Sequence, residues 1–267
     1  MWRDKLWESR SRDPIFAGLR WRDIIRLVRR GDMNRAIAEL KALIEDPTSE
    51  RIRGHLCLYL HICCTRQRAV EDAEKYLMRA FKEPYRPPLS ILYRYLGSFL
   101  LDVGRRAEAK RALDNAFILQ STELNCHSKV RRGVYCIDPA VARIAAWVHL
   151  GIDYYIGDWL DEAEKCFRTA LTKIRKREML IETFVETTEG ACPFAWYPFN
   201  SPRGIMDICN MYLGAIALRR GIPPSELGID VESILTSARK YRNFCEGAVG
   251  IEELVIQFMQ QSNDTQR

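Results

Sequence analysis

Apolar residues recur at three- and four-residue spacing along most of the chain, and the spacing breaks at short, glycine-marked interruptions. From 147 to 156 the large side chains Trp147, Leu150 and Tyr154 follow the period of one helical face. Gly157 and Asp158 interrupt it, and from 160 to 171 the period resumes with Ala163, Phe167 and Ala170. Asp161, Glu162, Glu164, Lys165 and Arg168 fill the opposite side of that second segment. This pattern predicts a hairpin of two amphipathic helices. Gly151 and Ala163 fall where the two helices would cross, and a missing side chain there lets the backbones approach closely.

Counted from Ile144, the residues Trp147, Leu150, Gly151, Tyr154, Ala163, Phe167 and Ala170 stand at positions 4, 7, 8, 11, 20, 24 and 27. The same positions counted from Ser90 hold Tyr93, Leu96, Gly97, Leu100, Ala109, Leu113 and Ala116, with Gly104 at the turn. Counted from Gly54 they hold Cys57, Leu60, His61, Cys64, Ala73, Leu77 and Ala80. A unit from Ala17 keeps Ala36, Leu40 and Leu43 after Gly31, and Leu213 and Gly214 begin a fifth unit near Asp207 whose second helix is displaced by GIPPSELG. The pattern resembles the tetratricopeptide repeat. Residues 144–175 fill seven of its eight signature positions, with Arg175 where the family has proline, and His61 stands where it prefers glycine or alanine. The resemblance implies an all-α fold: a right-handed superhelical solenoid of about five helical hairpins, closed by a C-terminal capping helix.

Unit starts near 17, 54, 90, 144 and 207 leave an N-terminal segment at 1–16, a repeat domain at 17–260 and a polar tail at 261–267. Longer spacing marks insertions at 124–138 and 176–203. Asp13-Pro14, Asp138-Pro139 and Ser201-Pro202 each place a capping side chain before a proline at a first helical position. Gly31, Gly104 and Gly221 are expected to end the helices before them. The second helix of the fourth unit is expected to run on to about Thr188, and another helix to follow Asp230. In the second insertion Phe194, Trp196, Tyr197 and Phe199 are too apolar to stand in water. They read either as a plug for the gap left by the longer spacing or as a lid over a ligand site.

A 47% hydrophobic and 28% charged composition is ordinary for a globular chain and excludes wholesale disorder. No apolar run reaches bilayer length, so no membrane role is expected. The opening MWRDKLWESRSRDP lacks the apolar core of a secretory signal, which makes a cytoplasmic chain the expectation. Nine cysteines without a CxxC pair suit a reducing compartment. The net charge of +6 is spread among acidic residues rather than massed.

Little in the sequence points to chemistry. There is no P-loop, GxSxG elbow, HExxH or dinucleotide-binding glycine fingerprint, and no catalytic residue, metal or cofactor is expected. His55, Cys57, His61 and Cys64 cluster on one helix at metal-ligand spacing, but three of them occupy packing positions of the repeat. Cys126, His127 and Cys136 form a weaker cluster in the first insertion.

The resemblance implies that first helices line a concave face through positions 5, 9 and 12. Those are Trp21, Ile25 and Val28; Leu58, Ile62 and Thr65; Arg94, Ser98 and Leu101; Val148, Ile152 and Tyr155; Met211, Ala215 and Leu218. Twelve of the fifteen are apolar, so an open groove would demand a cover. That cover would be a protein or peptide segment, a second copy forming a homodimer, or the chain's own aromatic loop and N-terminal segment. Arg29, Arg66 and Arg219 share position 13, where they face the helix dipole or form a rim for an acidic partner. The sequence therefore leads to a non-catalytic scaffold, adaptor or sensor that binds a protein or peptide in an apolar groove. The alternative is a nucleic-acid-binding or regulator-associated repeat protein, using Lys129, Arg131 and Arg132 or Arg175, Lys176 and Arg177.

Overall fold

The computed structural model describes residues 24, 27, 28, 30–122, 139–175, 202–243 and 245–265. All regular secondary structure among them is helical, with no strand. The chain divides into two compact units, Met1–Val134 and Tyr135–Arg267, parting within the predicted first insertion.

The first unit carries α1 (Met33–Glu45), a 3-10 turn (Pro47–Ile52), α2 (Arg53–Arg66), α3 (Val70–Lys82), α4 (Leu89–Asp102) and α5 (Arg106–Thr122). Each of these α-helices packs on the next in sequence. The second unit carries α6 (Pro139–Ile156), α7 (Leu160–Arg175), α8 (Pro202–Arg219), a 3-10 turn (Pro224–Leu227), α9 (Val231–Tyr241) and α10 (Ala248–Thr265). Here too successive helices pair, and α8 also meets α6 and α10. Pro139 and Pro202 open their helices as expected, because proline's fixed φ suits a first turn whose amides need no intrahelical partner. The Asp230 carboxylate caps α9 by accepting from the Ser233 amide at 2.8 Å. Residues 176–188, where the second helix of the fourth unit was expected to continue, lie outside the described residues.

Five helix-to-helix turns share one geometry. Gly31, Arg68, Gly104, Asp158 and Gly221 all have positive φ, between 58° and 79°. The amide after each donates back to the carbonyl five residues earlier: Asp32 to Leu27, Ala69 to Cys64, Arg105 to Leu100, Trp159 to Tyr154 and Ile222 to Ala217, at 2.8–3.0 Å. This left-handed termination satisfies carbonyls that the helix end would leave without donors. All five residues fall at position 15 of units counted from 17, 54, 90, 144 and 207, so the intervals of the sequence pattern are also those of the backbone geometry. Arg68 is an exposed non-glycine residue at φ 58°. Its left-handed backbone costs about 1 to 2 kcal/mol, of which the extra unfolded-state freedom of glycine returns about 0.5 to 1. Arg68→Gly should accordingly stabilise the first unit by about 0.5 to 1 kcal/mol, visible as a higher urea midpoint.

Small residues sit where paired helices meet. Ala36, Ala73, Ala109 and Ala163 have no exposed surface. A Cβ on Gly97 would lie 2.5 Å from Leu113 Cδ2, one on Gly151 2.8 Å from Phe167 Cε1, and one on Gly214 2.2 Å from Ile234 Cδ1. In the second hairpin His61 takes this place and repays its bulk with a hydrogen bond from Nδ1 to the Ala73 carbonyl at 2.9 Å. The fifth hairpin meets Gly214 through Ile234, because the 3-10 turn inserted at Pro224–Leu227 shifts the second helix along the chain. Polar links between consecutive hairpins recur as well. Gln67 donates to Asn34 at 2.7 Å, and Arg220, at the same position of its own unit, donates to Asp161.

The C-terminal helix packs on α8 and α9, burying Ala248, Ile251 and Val255. It continues through Thr265, so the helix runs on into the polar stretch from 261. No glycine or proline follows Gly250 to stop it.

Candidate functional site

The first-helix positions expected to line a groove behave differently in the two units. In the first unit Leu58 is buried at 6% exposure, whereas Ile62, Thr65, Arg94, Ser98, Leu101 and Val28 are half-buried. They therefore retain surface that a partner can touch. The Thr65 hydroxyl donates to the His61 carbonyl within its own helix, and the Arg94 guanidinium lies 4.1 Å from the Tyr95 ring centre. The face thus offers aliphatic surface on α2 and α4 with one arginine over an aromatic ring. Trp21, Ile25 and Arg29 lie outside the described residues.

In the second unit the corresponding side chains belong to the core. Val148 and Ala215 are 0% exposed, Met211 1%, Tyr155 3% and Ile152 5%; only Leu218 is half-buried. This apolar face is covered, and the covering contacts are local. The α6 and α8 helices meet directly, with the Tyr155 and Tyr212 rings edge to face at 5.1 Å. The turn after α9 folds across them: the Tyr212 hydroxyl donates to the Glu246 carbonyl, and a Cβ on Gly247 would stand 3.7 Å from the Tyr155 ring. Burial of this phenol raises the Tyr155 pKa above its ordinary value. Residues 245–248 thus cover part of this unit's apolar face. The only signal of this cover in the sequence was Cys245 followed by Gly247 at the mouth of the last helix.

Two rim arginines are also placed. Arg219 ion-pairs with Asp158 at 3.1 Å and lies over the Tyr155 ring at 4.3 Å, clasping α8 to the preceding hairpin turn. Arg66 is exposed in the last turn of α2, where a cation faces the negative end of the helix dipole. Phe194, Trp196, Tyr197 and Phe199 of the proposed lid or plug lie outside the described residues, as do Lys129, Arg131, Arg132, Lys176 and Arg177. Arg175 is the exposed last residue of α7.

The histidine and cysteine cluster of α2 is packing. Cys57 is 0% exposed, Cys64 1% and His61 2%. Burial pushes the Cys57 thiol up to about 12 and the His61 imidazole down to about 4, keeping both neutral at pH 7. The His61 ring also meets the Phe99 ring of the next hairpin at 5.6 Å. Among the described residues no group of three or more His, Cys, Asp or Glu side chains is placed to hold a metal ion. Cys126, His127 and Cys136 fall outside them. No described helix is long and apolar enough to cross a membrane.

Compared with models of known protein families and with curated proteins, the sequence matches none.

Proposed function

We propose that the protein is a non-catalytic helical-repeat protein of tetratricopeptide type that binds a segment of another protein, and that the α2 and α4 face of the first unit is its working surface. The supporting observation is the contrast in burial at equivalent positions. Ile62 and Leu101 keep some exposed aliphatic surface, while their counterparts Ile152 and Tyr155 are buried, Tyr155 against Tyr212 and Gly247 of its own unit. Recurrence of the left-handed turn at one register through all five hairpins supports the repeat reading. An apolar helix seated along Ile62, Ser98 and Leu101 would bury large side chains worth roughly 1.5 to 3 kcal/mol each before ordering costs. The cytoplasmic location is part of the same proposal, and a second copy of the chain is the alternative cover for this face.

A photo-crosslinking amino acid placed at Ile62 or Leu101 of the full chain, expressed in its native source, tests this. Discrete adducts to a polypeptide are expected from these positions and not from Glu71, which is exposed on α3. Adducts equally frequent at all three positions would refute the face. Nucleic acid recovered in place of polypeptide, with yield falling steeply as salt rises, would favour the alternative reading.

A further inference from the structure

A second surface lies at the opposite end of α2 from its hairpin turn, where the chain passes between hairpins. The connection Glu83-Pro84-Tyr85-Arg86-Pro87-Pro88 joins α3 to α4. Three prolines restrict its φ angles, and the Glu83 side chain anchors it from beneath, 3.4 Å from Arg79 and 3.9 Å from Arg53. The Arg86 guanidinium donates to the Glu83 carbonyl at 3.3 Å. Its backbone lies flat on α2: a Cβ on Gly54 would fall 2.7 Å from the Tyr85 carbonyl oxygen and 2.8 Å from Arg86 Cα. Only glycine permits that approach, because the neighbouring atoms are main chain and cannot swing aside.

The tip of this braced connection is Tyr85, 51% exposed, among the most exposed large apolar side chains of the described residues. Arg86 follows it, Lys82 precedes the connection, and Arg51 stands three residues before Gly54, in the 3-10 turn that leads into α2. All three are exposed, and none forms an ion pair with a carboxylate among the described residues. Arg53 and Arg79 are already matched by Glu83 and Glu45, so the charge left over at this edge is positive, with Glu50 at its margin.

We infer that Tyr85, Arg86, Arg51 and Lys82 form a second docking site, for a carboxylate-rich protein segment carrying an aromatic or aliphatic residue. Tyrosine and arginine are the side chains that dominate binding energy at interfaces, and a loop already fixed in place loses little freedom on binding. The charge complementarity is to carboxylates rather than to a nucleic-acid strand. A strand is held by successive aromatic platforms and a continuous cationic track, whereas this edge presents one exposed ring and a few cations with Glu50 at their margin. The site is independent of the face on α2 and α4.

The probe is a short fluorescein-labelled oligoglutamate peptide with one central phenylalanine, titrated into the full chain by anisotropy. The second ligand is a labelled oligouridylate of equal charge. Tyr85→Ala and the double variant Arg51→Ala/Arg86→Ala are each expected to weaken peptide binding about fivefold or more, the scale of an interface anchor. Arg68→Ala/Arg111→Ala removes the same charge from exposed positions elsewhere and should leave binding within twofold. An equal loss in both double variants, no peptide binding by the unsubstituted protein, or tighter oligouridylate binding that the same substitutions abolish would each overturn the site. Helical circular dichroism of every variant, all altered at exposed side chains, establishes that folding is intact.

Discussion

Lowering the pH from 7 to 4 should destabilise the α2 and α3 hairpin by about 3 kcal/mol through His61 alone. His61 is 2% exposed, its Nδ1 proton is committed to the Ala73 carbonyl, and its ring meets Tyr95 and Phe99 of the next hairpin. Protonation would place a second N–H and a full charge among those rings, where burial is the larger obstacle and the nearby Arg94 cation adds to it. The folded-state value of about 4 lies below the ordinary 6.5, so the unfolded chain binds the proton first. The stabilisation is therefore complete above about pH 6.5 and is lost as the pH falls toward 4. Carboxylates held low by partners, such as Glu164 between Arg220 and Arg168, lose stability over the acid range too. The histidine contribution is isolated by difference. His61→Gln retains a donor for the Ala73 carbonyl and titrates no proton, so amide exchange in α2 and α3 should become less acid-sensitive in the variant. Exchange in α6 and α7, which belong to the other unit, should respond equally to pH in both proteins. An unchanged acid response of α2 would show that His61 is not held neutral by its surroundings.

The legible parts of the fold were those fixed by residues acting over a few positions. Gly31, Gly104 and Gly221 announced their turns because left-handed backbone strongly favours glycine. Arg68 and Asp158 adopt the same conformation without that signature; the break in apolar spacing marked Asp158, and nothing in the local sequence marked Arg68. The meaning of His61 was hidden for a related reason. It departs from the glycine pattern by making a hydrogen bond whose acceptor, Ala73, lies on another helix. The run of α10 past 260 shows that a helix stops at a breaker and not at a change of polarity.

The candidate face was half legible. Position within a repeat identifies which side chains leave the first helix in one direction, but whether they meet solvent depends on what lies beyond, and that is set by distant chain. Leu101 and Tyr155 occupy the same position of their units, yet Leu101 is half-buried and Tyr155 buried, because the second unit lays the Tyr212 ring and the 245–248 turn against Tyr155. The second docking edge was invisible for the same reason. Nothing in the spacing of Gly54 and Tyr85 reveals that their backbones touch.

The substitution Gly151→Leu should cost the second unit about 3 kcal/mol, at the upper end of overpacking effects. The nearest atoms to a new Cβ are Cε1, Cζ and Cδ1 of Phe167, at 2.8 to 3.1 Å. That ring cannot yield freely, since Phe167 is 0% exposed and stacked on Tyr212 at 5.0 Å with an interplanar angle of 12°. Tyr212 is pinned in turn by its bond to the Glu246 carbonyl, so displacement at α6 is resisted through α7, α8 and the turn before α10. Gly250→Ala provides the contrast, because no atom lies within 4 Å of its Cβ position and the helix gains about 0.5 to 1 kcal/mol from the better helix former. Combining Gly151→Leu with Phe167→Ala replaces one large side chain by another across the same crossing. The pair should be less destabilising than the sum of the single changes by about 1 kcal/mol or more, as contacting residues couple in a double-mutant cycle. Strict additivity in chemical denaturation would mean that Gly151 and Phe167 do not meet, and with it the close crossing of α6 and α7 would fail.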